Sequence, residues 1–366
     1  MMKKIKSVSL SVLLSLTTLP AMAKDDTLHL YSWAGIFDKQ VLDGFTEQTG
    51  YKVQQDNYSS DAMLETKLLS GQAGYDIVIP SAVPYLQREI AVGAMQKYDP
   101  AKVPNMKNLN IEMRYLLRQS DPTLEYAAIA AWGSTGLGLN KKLIGQHLDL
   151  STAPTNSWGL IFEPQYAQKL QKCGLYLVDS AFDVIPAMAA YLNLDPTKMD
   201  KETVDKVMEK LSEIRQYVYL DTGKFETDMA NGSACAVLGF SGSITHANMI
   251  AQKANNGVEL DYVIPKEGAM AWMTTIAIPN NAPNSEAANA FMNYLLEPKV
   301  SARMSMLTGF PTPVEGAKAY LPPEMVNNPM LYPPETTLAR LFMGGPLTAK
   351  QSRYLQRKWS EFRSAQ

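Results

Sequence analysis

The chain lacks most of what marks a catalyst, a metal protein or a nucleic-acid binder. It carries three histidines and two cysteines in 366 residues. His29, His147 and His246 are scattered, and Cys173 and Cys235 lie far apart, so no metal-ligand spacing exists. There is no Walker loop and no His-Glu-x-x-His. Ser241 stands in Gly239-Phe240-Ser241-Gly242, without the Gly-x-Ser-x-Gly spacing of a nucleophile elbow. These gaps predict a protein without enzymatic activity, cofactor or metal. Basic residues do not outnumber acids. The net charge is −2 and no Lys/Arg cluster stands out, which excludes a nucleic-acid partner. No segment holds about 18 apolar residues in a row, so no membrane span is expected.

The amino terminus has a pattern of its own. Met1-Met2-Lys3-Lys4-Ile5-Lys6 precedes an apolar stretch from Val8 to Leu19, and Ala21-Met22-Ala23 follows. A basic start, a short apolar run interrupted by Ser and Thr, and a small-x-small site read as a removable leader spanning 1–23. Ala23 is not followed by cysteine, which argues against a lipid anchor. The mature protein is expected to be soluble and exported to the periplasm. About 340 mature residues exceed one ordinary core, which predicts two lobes. In an oxidising compartment the even cysteine pair, Cys173 and Cys235, most simply forms one disulfide. Closing a loop of about 60 residues is worth roughly 4 kcal/mol on a chain-entropy argument.

Patterning along the chain predicts an α/β protein. Strands are expected at Leu28–Ser32, Tyr51–Asp56 and Gly74–Ser81, with helices at Phe37–Thr49, Ser60–Ser70 and Pro84–Ala91 between and after them. Such alternation implies a mostly parallel sheet, with ligands at the strand carboxyl ends. Ala127–Asn140 reads as a glycine-bearing strand that leaves the first lobe. The second lobe then alternates similarly: a strand at Leu175–Val178, helices at Asp183–Asn193 and Lys201–Tyr217, and a strand at Ala234–Phe240. Ala269–Ile278 returns, helices follow at Ser285–Leu296 and Lys299–Leu307, and Pro311–Pro313 opens an extended tail. Two lobes crossed more than once suit a hinged receptor with its ligand between them.

Trp33, Ser81, Trp132, Asp183, Phe240, Trp272 and Phe310 all fall at predicted strand or loop ends. Each alone is compatible with packing; together they resemble an aromatic-lined cleft. An indole face suits a cation or an apolar stem. Asp179 and Asp183 are the only carboxylates expected near these ends. Asp183 also suits the first turn of a helix, where the macrodipole favours an acid, and Asp179 reads as an N-cap.

Several segments, in this order, resemble the bacterial periplasmic polyamine-binding proteins, the putrescine receptors most of all. They include Tyr31-Ser32-Trp33, Tyr75-Asp76-Ile77-Val78-Ile79-Pro80-Ser81, Trp132-Gly133-Ser134-Thr135-Gly136-Leu137-Gly138-Leu139-Asn140 and Ala230-Asn231-Gly232. Ile264-Pro265-Lys266-Glu267-Gly268-Ala269-Met270 and Phe291-Met292-Asn293-Tyr294-Leu295-Leu296 complete the set. The resemblance implies a type II periplasmic-binding fold with two α/β lobes joined by hinge strands. It implies capture of a small amine by hinge closure, delivery to the permease of an ABC importer, and no catalysis. The cysteine pair matches one that is bridged in the putrescine receptors. The lobes are expected at 24–133 plus about 269–308, and at 134–268 plus about 309–366, in a monomer.

The site departs from that family's pattern. Ala34-Gly35-Ile36 stands where Ser-Asp-Tyr usually follows the first tryptophan. Ser243 and Thr274 replace two further aspartates, and Phe310 replaces a common tyrosine. Asp183 corresponds to the family's second-lobe glutamate. The resemblance therefore implies a ligand site of Trp33, Ser81, Asp183, Phe240, Ser243, Trp272, Thr274 and Phe310. Trp33 and Trp272 would sandwich an apolar stem, Ser81 would bond a polar end, and Asp183 would pair with one amine. A buried ammonium without a counter-charge costs several kcal/mol, and aromatic faces return roughly 0.5–2 kcal/mol each. The residue pattern thus allows one positive charge, unless other acids serve the cleft. A monoamine or an ω-amino acid is the alternative ligand, and docking on a membrane sensor is the alternative role.

Overall fold

A computed structural model of the chain describes residues 26–71, 73–221 and 223–365. The expected leader lies outside the described residues. Eleven strands are present among these: β1 (Thr27–Trp33), β2 (Lys52–Tyr58), β3 (Ile77–Val78), β4 (Met95–Gln96), β5 (Ala127–Leu139), β6 (Leu175–Val178), β7 (Tyr219–Asp221), β8 (Ala236–Phe240), β9 (Asp261–Val263), β10 (Ala269–Pro279) and β11 (Leu341–Met343). They form one sheet in the order β2-β1-β3-β10-β5-β8-β6-β7, with β4 and β11 on β10 and β9 on β5. The two outer groups, β2-β1-β3 and β8-β6-β7, are parallel. The centre is antiparallel: β10 runs against β3 and β5, and β5 against β8. The parallel expectation holds for each end of the sheet and not for the long strands that cross the middle.

Two separate apolar cores flank that crossing. The first gathers Leu28, Phe45, Ile77, Leu117, Ile129 and Phe291, and the second Leu137, Trp158, Leu177, Val207, Leu238 and Trp359. β5 contributes Ala127–Ala130 to the first core and Leu137 and Leu139 to the second. β10 likewise gives Ala269 to the second and Ala271, Met273 and 276–278 to the first. Thus two paired strands carry the chain between cores.

The carboxyl-terminal segment differs from expectation. Val314, Ala317, Leu321, Met325, Leu331 and Met343 pack in the first core, Leu341 packs against both, and Leu347, Leu355, Trp359 and Phe362 join the second. Assigning all of 309–366 to one lobe therefore fails, because the apolar residues of that segment face two different cores. The expected extended tail instead ends in a helix, Ala349–Ser364, opened by a Thr348/Gln351 capping box. Leu355, Trp359 and Phe362 form its buried stripe. The cysteines do pair: Cys173 and Cys235 are bridged, with Cα atoms 5.5 Å apart. No helix among the described residues is long and apolar enough to cross a membrane.

Candidate functional site

The alternation of β10 builds one wall of the site. Ala269, Ala271 and Met273 are buried, while Met270, Trp272 and Thr274 are half-buried on the opposite face. Between Thr274 and Thr275 the register with β5 slips by one residue, from Ala131 to Ile129. Such a bulge re-aims side chains, and here it ends the alternation: everything beyond it is buried. Thr274 then bridges to Ser81, just past the end of β3. Thr275 fixes that junction by donating its N–H and hydroxyl to the Pro80 carbonyl, each at 2.8 Å.

Trp272 stands in an aromatic cluster. Its ring meets Phe310 edge to face at 4.7 Å and Phe240 at 5.9 Å. Both are arrangements that aromatic quadrupoles favour. Gly133 on β5 admits the indole, since a Cβ there would lie 2.6 Å from Trp272 Cζ2. Gly242 admits Phe310 in the same way, because a Cβ would run into its ring. Ser243 follows in the first turn of the helix Ser241–Ala254 and is half-buried.

Asp183 lies in the first turn of the helix Ala181–Tyr191, and it is buried. Thr135 of β5 donates to its Oδ1 at 2.6 Å and Ser180 to its Oδ2 at 2.5 Å. Burial pushes the carboxyl upward and the two hydroxyls oppose the rise. Thr135 sits in register with Phe240 on one side and Met270 on the other. That places Asp183 behind the aromatic cluster. Ser134 and Tyr262 add a buried hydroxyl pair at 2.8 Å, and burial raises the Tyr262 phenol.

Trp33, half-buried at the end of β1, packs on Tyr58 at 4.7 Å. Its indole has no ring contact with Trp272 among the described residues. The structure thus brings Ser81, Thr274, Trp272, Phe240 and Phe310 together, with Ser243 alongside and Asp183 behind. Trp33 stands on the first-core side with its own partner. Trp132, also named from the sequence, packs against the first core. Asp179 is not an N-cap. Ser180 takes that position, and Asp179 accepts from Trp359 Nε1 at 2.7 Å and pairs with Arg363. It anchors the carboxyl-terminal helix.

Sequence reasoning missed the acids behind Ser81. Asp61 opens the helix Asp61–Leu69, is nearly buried, and accepts the Ser81 N–H at 2.9 Å. Glu89 is fully buried. The signal was weak: Ser60-Asp61 reads as an ordinary helix start, and Glu89 as one polar residue in a short amphipathic stretch. Tyr85, which meets Phe182 of the other core at 6.1 Å, was also missed.

Comparison with known proteins decides the family. Bacterial extracellular solute-binding proteins match residues 40–333. The chain belongs to that family. It is 36% identical to the putrescine-binding periplasmic protein SpuD of Pseudomonas aeruginosa, over 100% of both chains. It is 34% identical to the putrescine-binding periplasmic protein PotF of Escherichia coli, over 93% of this chain and 92% of that protein. A putative spermidine/putrescine ABC transporter from Listeria monocytogenes superposes with a TM-score of 0.81 at 25% identity, over 93% of this chain and 99% of the other. The solute-binding family and its two-lobe type II fold are as the sequence resemblance implied, and its members are not enzymes. For a solute-binding protein the region between the two cores is the place to look. There an aromatic cluster, a buried acid and the Ser81–Thr274 junction meet.

Proposed function

We propose that this chain is the periplasmic receptor of an ABC importer, capturing a small amine between its two cores by hinge closure and delivering it to a membrane permease. Family membership and the names of the relatives support the class. One observation carries the ligand reading: the buried Asp183 carboxylate behind the Phe240–Trp272–Phe310 cluster. An ammonium entering there meets a desolvated negative charge and aromatic faces, the combination that offsets its lost hydration. Trp33 and Trp272 hold the apolar stem from the two sides, Ser81 and Thr274 bond the far end, and Ser243 and Phe310 close the wall. The lobes are built on the two cores, with 26–133 and 271–343 in one and 134–269 and 347–365 in the other. β5 and β10 form the hinge.

A second reading has one observation in its favour. The Trp272 indole N–H is buried and meets no acceptor among the described residues. A ligand carboxylate would satisfy it, as in an ω-amino acid. A thermal-shift screen of the mature protein against putrescine, spermidine, butylamine and γ-aminobutyrate separates the readings. A ligand at 100 times its Kd adds about 2.7 kcal/mol. Stabilisation by at least one amine is expected; no shift with any of the four refutes the amine reading.

A further inference from the structure

The first core is accompanied by two buried acids, Asp61 and Glu89. Asp61 accepts the Ser81 N–H at 2.9 Å. Glu89, on the helix Gln87–Ala91, is 0% exposed, and among the described residues neither of its carboxylate oxygens has a hydrogen-bond partner. Burying a carboxyl with both oxygens unsatisfied is costly, so the position calls for an explanation.

We propose that Asp61 and Glu89 form a charge reserve behind Ser81, holding a proton while the cleft is empty and releasing it to solvent when a cationic group docks at Ser81. The proposal rests on the amine reading of the site and names the feature that selects the far end of the ligand: a second positive charge.

Burial and the neighbouring acids favour a held proton, and Arg88 and the Ser81 hydrogen bonds oppose it. Burial pushes Glu89 up to about 8, and the Asp61 and Glu65 charges add to the rise. Burial pushes Asp61 up to about 6; the Ser81 hydrogen bonds oppose that and Glu65 adds to it. Arg88 lowers both, but weakly. Its guanidinium is committed elsewhere: Nε and Nη2 bind Glu65, each at 2.9 Å, and Nη1 reaches Ser352 at 2.8 Å on the other core. The Tyr58 and Tyr85 phenols are raised by burial and by the Asp61 charge, so both stay neutral donors. Tyr58 is spent on the Ile79 carbonyl. At neutral pH the pair therefore carries about one negative charge and one proton. A cation at Ser81 lies one hydrogen-bonded residue from Asp61. Its field favours the doubly ionised pair, so the Glu89 proton leaves and the ligand gains a counter-charge. Affinity for such a ligand should rise as pH climbs from about 6 to about 8.

The test is titration calorimetry of the mature protein with putrescine, in phosphate and in Tris near neutral pH. Buffers with different ionisation heats report protons released per ligand bound. The expected result is release of a substantial fraction of one proton, absent in Glu89→Gln. That variant should bind normally near pH 6 and roughly tenfold more weakly than the parent near pH 8.5. Asp61→Asn should weaken putrescine at both pH values. Butylamine, which places one ammonium, should bind without proton release if that charge goes to Asp183. Putrescine binding with no proton exchange overturns the proposal. If no amine binds, the amine reading fails and the exchange fails with it. Carbon NMR titration of the ligand-free carboxyls then judges the proton-holding pair by itself. A buried glutamate titrating well above pH 6 and missing in Glu89→Gln supports it, and ordinary carboxyl titration throughout overturns it.

Discussion

Replacing Glu89 by glutamine should make the protein more stable, and chiefly at high pH. Glu89 is fully buried with neither oxygen hydrogen-bonded among the described residues, and burial pushes its carboxyl from an ordinary 4.5 up to about 8. The folded state thus binds this proton more tightly than the unfolded chain does. The sign follows from linkage: the stabilising contribution is fully present below about 4.5 and is lost as pH rises toward about 8. Each pKa unit is worth 1.36 kcal/mol, so the full swing is on the order of 3–5 kcal/mol, with local relaxation reducing it. Asp61, pushed to about 6, adds a smaller loss in the lower part of the same window. Glutamine keeps the shape and removes the titration. Urea unfolding followed by tryptophan fluorescence, run at several pH values from about 5 to about 9, measures the difference. Glu89→Gln should exceed the parent by less than about 1 kcal/mol near pH 5 and by on the order of 3–5 kcal/mol near pH 9. Parallel stability profiles would refute the reasoning, since they would mean that Glu89 ionises without penalty and has found water or a cation.

Three further outcomes follow from the site. Trp33→Ala should weaken amine binding by about 1–2 kcal/mol and reduce the ligand-induced fluorescence change, read by calorimetry and emission spectra. Unchanged affinity would leave Trp33 as packing on Tyr58. Asp183→Asn should cost amine affinity at least roughly tenfold, because an ammonium would then be desolvated without its counter-charge. Far-ultraviolet circular dichroism should show the fold retained, since the amide still accepts one of the two hydroxyls. Thr274→Asp should raise putrescine affinity, because the Ser81–Thr274 bridge sets the new carboxylate beside Ser81. Calorimetry showing weaker putrescine binding would place the ligand's second charge elsewhere.

The elements legible in the sequence were those whose periodicity reports burial directly. β5 is a long apolar and glycine run, and its predicted span, Ala127–Asn140, differs from the observed Ala127–Leu139 by one residue. α/β alternation at each end of the sheet was equally plain, because apolar strands there alternate with amphipathic helices. β3 was overread: the expected strand Gly74–Ser81 forms ladder pairs only at Ile77–Val78. Pro80 cannot donate to a ladder, and Asp76 turns its carboxylate to the His29 N–H instead. The carboxyl-terminal helix escaped notice for the opposite reason. Its buried stripe is three residues, Leu355, Trp359 and Phe362, in a segment otherwise rich in Lys, Arg and Gln. The spacing is helical, but the docking partner that makes the stripe meaningful is the second core. Asp179 of that core, bonded to Trp359, could be assigned only in three dimensions.

The site divides along the same line. Trp33, Ser81, Phe240 and Phe310 were read at strand or loop ends, where ligand clefts of α/β folds gather, whereas Trp272, also expected at a strand end, lies inside β10 and Thr274 was offered only by the family resemblance. Asp61 and Glu89 were missed. An acid on a helix is normally solvated, and nothing in Ser60-Asp61 or Gln87-Arg88-Glu89 says otherwise. Asp61 is tied to the segment after β3, 20 residues along the chain, by the Ser81 N–H. The acids named from the sequence could serve one ammonium, and the reading left open only acids not yet placed. On the exchange proposed above, Asp61 and Glu89 supply them, Asp61 through its bond to the Ser81 N–H. Charge in a low-dielectric setting acts across such a distance, so a cleft can lose carboxylates from its lining and keep its preference for cations. Contact residues alone therefore under-determine the ligand of this receptor, and the buried pair has to be counted with them.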